Sequence, residues 1–205
     1  MTKIKICGIT NYRDAAFSVF SGADLLGFIF YKNSLRCILP AKAKAIVQKL
    51  PKNVLKVGVF VNEAPEKVKK IADACGLDLL QFHGDESPEY LSSFKDYRTM
   101  KAFRVKGKLS LKVLMPYKAD FFLFDTYQKD TFGGTGKAFD WGMLKPLKKI
   151  KTPFFVSGGL TPDNVCGLIK KIRPFGVDVS SGVEKSPGKK DLKSVKAFID
   201  AAREG

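Results

Sequence analysis

Short runs rich in Val, Ile, Leu and Phe recur along the whole chain, separated by longer segments in which apolar residues return at helical spacing. The runs are KIKICGI at 3–9, LLGFIF at 25–30, LKVGVFV at 55–61 and LLQFH at 79–83. Four more follow: RTMKAFRV at 98–105, FFLFDT at 121–126, PFFVSG at 153–158 and GVDVSS at 176–181. Their β-branched and aromatic content predicts strands.

The intervening segments carry helix start and stop signals. TNYRDAAFSVFSGA opens after Thr10, an acceptable N-cap, and closes near Gly22. LPAKAKAIVQKLP has Pro40 near its start and Pro51 just past its end, and EAPEKVKKIADACG enters through a proline and stops at Gly76. DESPEYLSSF and TPDNVCGLIKKI repeat the proline-and-acid first turn. DWGMLKPLKKI fills the gap before the seventh strand, and KDLKSVKAFIDAAREG closes the chain. KLSLKVLMPY has the weakest helical pattern of the set.

Strand alternating with helix predicts parallel strands joined by right-handed crossovers. Eight strands in 205 residues suit the α/β class as a single-domain (β/α)8 TIM barrel spanning residues 1–205. The alternative, an open doubly wound sheet, normally has a nucleotide loop after its first strand, and CGIT contains no GxGxxG.

In such a barrel the active site gathers at the C-terminal strand ends, so late polar residues are the candidates. Side-chain alternation places Lys5 with Cys7, Gln81 with His83, and Asp178 with Ser180 on shared faces, and ends the sixth strand at Asp125. Cys7 reads either as a small apolar side chain or as a reactive thiol. Lys5 and Asp178 read either as an interior ion pair or as substrate contacts, and His83 as a hydrogen-bonded barrel residue or a catalytic one. Asp125, directly after FFLF, is costly to bury without compensation, which favours a functional or well-paired acid.

Two glycine turns, VSGGL after strand seven and SSGVE after strand eight, expose backbone N–H groups suited to an anion. Phosphate sites in barrels commonly lie after these two strands. GGTGKAFDW at 133–141 is not a Walker A loop, because Thr131 stands at the required glycine and Ala138 at the Ser/Thr. It reads as a flexible connector or as a lid over the barrel mouth.

The formal net charge of +16 raises nucleic acid as a partner. However, the cations are 30 Lys against 6 Arg and are spread along the chain, whereas base readout favours Arg. The same field would attract a phosphorylated small molecule. The N-terminus MTKIKICGIT lacks the apolar core of a signal peptide, and no apolar run approaches the ~20 residues of a membrane span. One histidine and no CxxC pair among Cys7, Cys37, Cys75 and Cys166 argue against a zinc site. A soluble cytoplasmic protein with free thiols is expected.

Taken in order, KICGIT, GFIF, VGVFVN, QFHGDE, FDT, GGTGKAFDW, SGGLTPDNV and VDVSSGVEKSPGKKD resemble the phosphoribosylanthranilate isomerases. The resemblance runs from residue 3 to about 198. It implies a (β/α)8 barrel without cofactor or metal, active in tryptophan biosynthesis. The implied reaction is an Amadori rearrangement of N-(5-phosphoribosyl)anthranilate to 1-(2-carboxyphenylamino)-1-deoxyribulose 5-phosphate.

By the same resemblance Cys7 is the general base, Asp125 the general acid, and Arg36 the contact for the anthranilate carboxylate. Lys5, in reach of Cys7, would favour the thiolate. Lys5, His83 and Asp178 complete the substrate contacts, and Gly158, Gly159, Ser181 and Gly182 hold the phosphate. Cys37 and Phe82 depart from the residues usual in the family. The rival readings are another phosphosugar isomerase or epimerase, a nucleic-acid-binding protein, and a barrel that has lost its activity. A monomer and a homodimer both suit the fold.

Overall fold

The computed structural model describes residues 1–105, 110–125 and 141–205. Its eight main strands close into a parallel barrel in sequence order. They are β1 (Lys3–Cys7), β2 (Leu25–Ile29), β3 (Leu55–Phe60), β4 (Leu79–Phe82), β5 (Thr99–Arg104), β6 (Phe121–Asp125), β7 (Phe154–Ser157) and β8 (Gly176–Val179). Every predicted strand is present, trimmed at its end where the backbone leaves the ladder for a mouth loop.

Side-chain alternation sorts the residues as the pattern requires. Ile4 and Ile6 of β1 join the large outer core shared with the helices. A second cluster fills the barrel interior, built from Leu25, Val57, Leu79, Met100, Phe121, Leu123 and Phe155 among others. This apolar floor excludes water from below, and the polar residues of the opposite end lie above it.

Among the described residues six α-helices accompany the strands: α1 (Tyr12–Phe20), α2 (Pro40–Val47), α3 (Pro65–Cys75), α4 (Pro88–Leu91), α5 (Pro162–Ile172) and α6 (Leu192–Glu204). The first differs from expectation in its cap. Asn11, not Thr10, receives the Asp14 N–H on its side chain at 2.9 Å, while Thr10 Oγ1 donates to the Gly188 carbonyl. Gly76 ends α3 in the left-handed conformation, φ 65°, where a Cβ is disfavoured.

Among the described residues flanking β6, tighter 3₁₀ turns stand in place of α-helix, over Leu111–Val113 and Trp141–Lys149. Pro146, which has no N–H to donate, lies inside the second. Residues 126–140, including most of GGTGKAFDW and the question of a lid, lie outside the described residues.

One element was not expected. After β8 a 3₁₀ turn, Ser181–Val183, leads into the antiparallel pair β9 (Glu184–Ser186) and β10 (Lys189–Lys190). Gly188 turns this hairpin at φ 74°.

Candidate active site

The strand ends and the turns after them enclose a cavity of about 330 Å³ at the barrel mouth. Cys7, Arg36, His83, Asp125 and Asp178 line it, together with the turns carrying Gly158, Gly159, Ser181 and Gly182. Lys5 does not. It is fully buried beneath the cavity, and its Nζ lies 3.0 Å from Asp178 Oδ1.

Register explains that pairing. Lys5 and Asp178 are direct partners across the β1–β8 seam that closes the barrel. Of the two readings of this pair, the geometry places Lys5 in an interior ion pair, while Asp178 keeps contact with the cavity. Burial pulls the Lys5 pKa down, but Asp178, with help from Cys7, outweighs it and leaves the ammonium favoured.

Cys7 ends β1 one pleat further toward the mouth, 6% exposed. Burial pushes its thiol pKa up; Lys5 opposes that shift without cancelling it. Space for the sulfur comes from β2. Gly27 pairs with Cys7, and a Cβ at Gly27 would lie 2.6 Å from Sγ.

Across the cavity, Asp125 ends β6, and β7 and β8 separate it from β1 around the ring. His83 Nε2 lies 3.2 Å from Asp125 Oδ2, and Gln81 Nε2 lies 2.8 Å from His83 Nδ1. With the amide so oriented, Nδ1 accepts from Gln81 and Nε2–H donates to Asp125. Gln81 is 1% exposed, and its buried Oε1 finds no partner among the described residues. The loop carrying His83 is clamped from outside the barrel by a pair that sequence reading did not single out. Lys101 Nζ donates to Glu86 Oε2 and to the Gly84 carbonyl, both at 2.7 Å, while Glu86 Oε1 accepts from the Asn62 N–H at 2.9 Å.

The loop after β2 brings in Arg36, which packs its stem over Gly8 so closely that a Cβ there would meet Arg36 Cδ at 2.8 Å. Glu184 of β9 grips the guanidinium through Nε and Nη2, at 2.9 and 2.7 Å to Oε2. Glu184 Oε1 also accepts from Lys190 Nζ at 2.8 Å. Glu184 and Lys190 were missed as site residues although both lie in the quoted VDVSSGVEKSPGKKD string. Their signal was the hairpin glycine between them, which returns Lys190 to Glu184.

The two glycine turns form one unit. A Cβ at Gly182 would come within 1.9 Å of the Leu160 carbonyl oxygen, so only glycine lets the turn after β8 lie on the turn after β7. Gly158 and Gly159 have φ 91° and 65°, the left-handed region that glycine enters without cost. Asn164 of α5 ties the second back, its Nδ2 donating to the Gly159 carbonyl at 3.0 Å. The departures at Cys37 and Phe82 leave the reacting groups untouched: Cys37 is exposed, and Phe82 packs with Tyr90 and Phe94 in the outer core.

A parallel eight-stranded barrel with paired glycine turns after β7 and β8 and titratable side chains at the strand ends defines the class of (β/α)8-barrel enzymes. A family model described as N-(5'phosphoribosyl)anthranilate (PRA) isomerase matches residues 4–201. The chain belongs to that family, and it is an aldose–ketose isomerase of tryptophan biosynthesis.

An N-(5'-phosphoribosyl)anthranilate isomerase of Trichlorobacter lovleyi is 47% identical over 204 residues, covering 100% of this chain and 99% of its own. The crystal structure of phosphoribosyl anthranilate isomerase from Thermotoga maritima superposes with a TM-score of 0.93 at 45% identity, covering 99% of both chains. A further isomerase structure, in complex with reduced 1-(o-carboxyphenylamino)-1-deoxyribulose 5-phosphate, superposes with a TM-score of 0.90 at 42% identity, also over 99% of both chains.

Proposed function

We propose that Cys7 and Asp125 divide the Amadori rearrangement of N-(5-phosphoribosyl)anthranilate between them. The observation that carries this reading is their placement at opposite sides of one cavity, on strands separated by β7 and β8.

Asp125, as general acid, gives a proton to the furanose ring oxygen; the C1–O bond breaks and the anilino nitrogen's electron pair forms the iminium. The Cys7 thiolate then removes the proton from C2, producing an enolamine that tautomerises to the ketone. Burial leaves the thiolate a minority form but a stronger base, a useful exchange when the carbon acid is activated by an adjacent iminium. Lys5, beneath the cavity, serves the thiolate electrostatically, and its ion pair holds Asp178 toward the sugar. His83 orients the Asp125 carboxyl through the 3.2 Å contact.

Arg36 takes the anthranilate carboxylate through the guanidinium edge not used by Glu184. Phosphate is assigned to Gly158, Gly159, Ser181 and Gly182, supported by the lining of the cavity and by the backbone conformation of the first two. The floor between these anchors suits an apolar ring against Ile29 and Val59. No cofactor or metal is assigned a role.

We place the enzyme in the cytoplasm, a location favoured by its four free cysteines, as a monomer or homodimer without a nucleic-acid or membrane partner. No helix among the described residues is long and apolar enough to cross a membrane.

Turnover followed through anthranilate fluorescence tests the assignment. Cys7→Ala and Asp125→Asn should each lose a factor of about 10²–10⁴ in kcat with melting temperatures unchanged within a few degrees. A near-normal rate in either variant refutes its role.

A further inference from the structure

Glu184 presents an electrostatic puzzle. A carboxylate gripping the arginine meant for a substrate carboxylate should neutralise it. Side-on pairing through Nε and Nη2 occupies one edge of the guanidinium; among the described residues Nη1 makes no hydrogen bond, and Arg36 lines the cavity. Glu184 itself is 3% exposed as a side chain and Lys190 is 0% exposed.

The cluster resolves its own charge. Arg36 and Lys190 each carry one positive charge and share the Glu184 carboxylate, so its negative charge is divided between them. Lys190 is fixed in turn: its Nζ donates to the Ser180 carbonyl at 3.1 Å and its backbone N–H to Asp14 Oδ2 at 2.8 Å. The Gly188 N–H also donates to Glu184 Oε1, at 3.3 Å. Thus the hairpin after β8 is folded around the carboxylate that aims the arginine.

We infer that Glu184 is a positioning residue that presets Arg36 for a planar aryl carboxylate, and that Lys190 is the counter-charge that keeps Arg36 attractive to an anion. The inference rests on the reading of Arg36 as the carboxylate contact. Orientation outweighs net charge here because Arg36 is 24% exposed as a side chain: water screens a free charge at the mouth, whereas a fixed fork retains its directional hydrogen bonds.

Two ligands separate the outcomes: reduced 1-(2-carboxyphenylamino)-1-deoxyribulose 5-phosphate, and the same compound without the ring carboxylate. Their affinities are measured by calorimetry on wild type, Glu184→Gln, Glu184→Asp, Lys190→Met and Arg36→Met, alongside kcat and KM. Glu184→Gln should weaken the carboxylate-bearing ligand about tenfold and the other less than about twofold, raising KM more than it lowers kcat. Glu184→Asp should recover part of the loss, and Lys190→Met should act in the same direction as Glu184→Gln.

Equal losses for both ligands would overturn the inference, since a merely structural role in the hairpin does not sense the carboxylate. If Glu184→Gln or Lys190→Met does not fold, Glu184→Asp decides by the same comparison, with selective loss in favour and uniform loss against. Should Arg36→Met itself leave ligand discrimination intact, the assignment of Arg36 fails, an outcome distinct from failure of Glu184.

Discussion

Gly27 stands opposite Cys7 on the β1–β2 seam, and a Cβ built on it would lie 2.6 Å from Sγ and 3.1 Å from the Cys7 Cα. The space for the thiol is therefore made by the neighbouring strand. Gly27→Ala should push Cys7 away from the cavity and lower kcat at least tenfold, while its cost in stability stays near the ~1–3 kcal/mol of an overpacked core site. Steady-state kinetics beside urea unfolding checks this; unchanged kcat would mean that the position of Cys7 is not critical.

The direction of the Cys7 shift makes a pH prediction. Burial raises the thiol above its ordinary value of 9.0, so the thiolate fraction keeps growing through neutral and mildly alkaline pH. The ultraviolet absorbance of the thiolate, read as the difference between wild type and Cys7→Ala, should keep rising with pH and not level off below pH 9. Stability runs the other way. A raised acid pKa contributes stability that is present below about pH 9 and lost as pH rises through the folded value. Thermal melts of wild type and Cys7→Ala should therefore diverge only above pH 9, with wild type falling faster.

Lys5 and Asp178 are both enclosed, with side-chain exposures of 0% and 7%. Removing one partner strands a buried charge. Asp178→Leu should cost ~3–5 kcal/mol of unfolding free energy, and Lys5→Met with Asp178→Leu should recover much of it. If chemical denaturation shows the single variant within about 1 kcal/mol of wild type, the pair does not hold the β1–β8 seam.

The net charge of +16 has a kinetic consequence that needs no nucleic acid. A substrate with a phosphate and a carboxylate is drawn toward a basic protein, and salt screens that attraction. Raising ionic strength from about 0.02 to 0.5 M, across which the screening length falls to a few Å, should lower kcat/KM several-fold and leave kcat nearly constant. Steep salt-dependent retention on random duplex DNA would instead support the nucleic-acid reading.

Much of this architecture was legible before the structure, because strand parity is a local property. KIKIC alternates cleanly, so Lys5 and Cys7 could be assigned to one face from their neighbours alone. Register across the seam was not legible. That Lys5 faces Asp178, 173 residues away, depends on how the barrel closes, and so the sequence left Lys5 open between an ion pair and a substrate contact. Glu184 and Lys190 were hidden for a related reason: a three-residue and a two-residue strand are too short to show periodicity. The helix misread over DWGMLKPLKKI followed its 3.6-residue apolar spacing, which a 3₁₀ turn around Pro146 imitates.

The division of labour between Cys7 and Asp125 is tested most directly with phosphoribosylanthranilate carrying deuterium at C2 of the ribose. In Cys7→Ala, proton removal becomes the slow step and the isotope effect on kcat should be large. In Asp125→Asn, ring opening becomes slow and the effect should fall toward unity. The reverse pattern, or an equal isotope effect in both variants, would contradict the account.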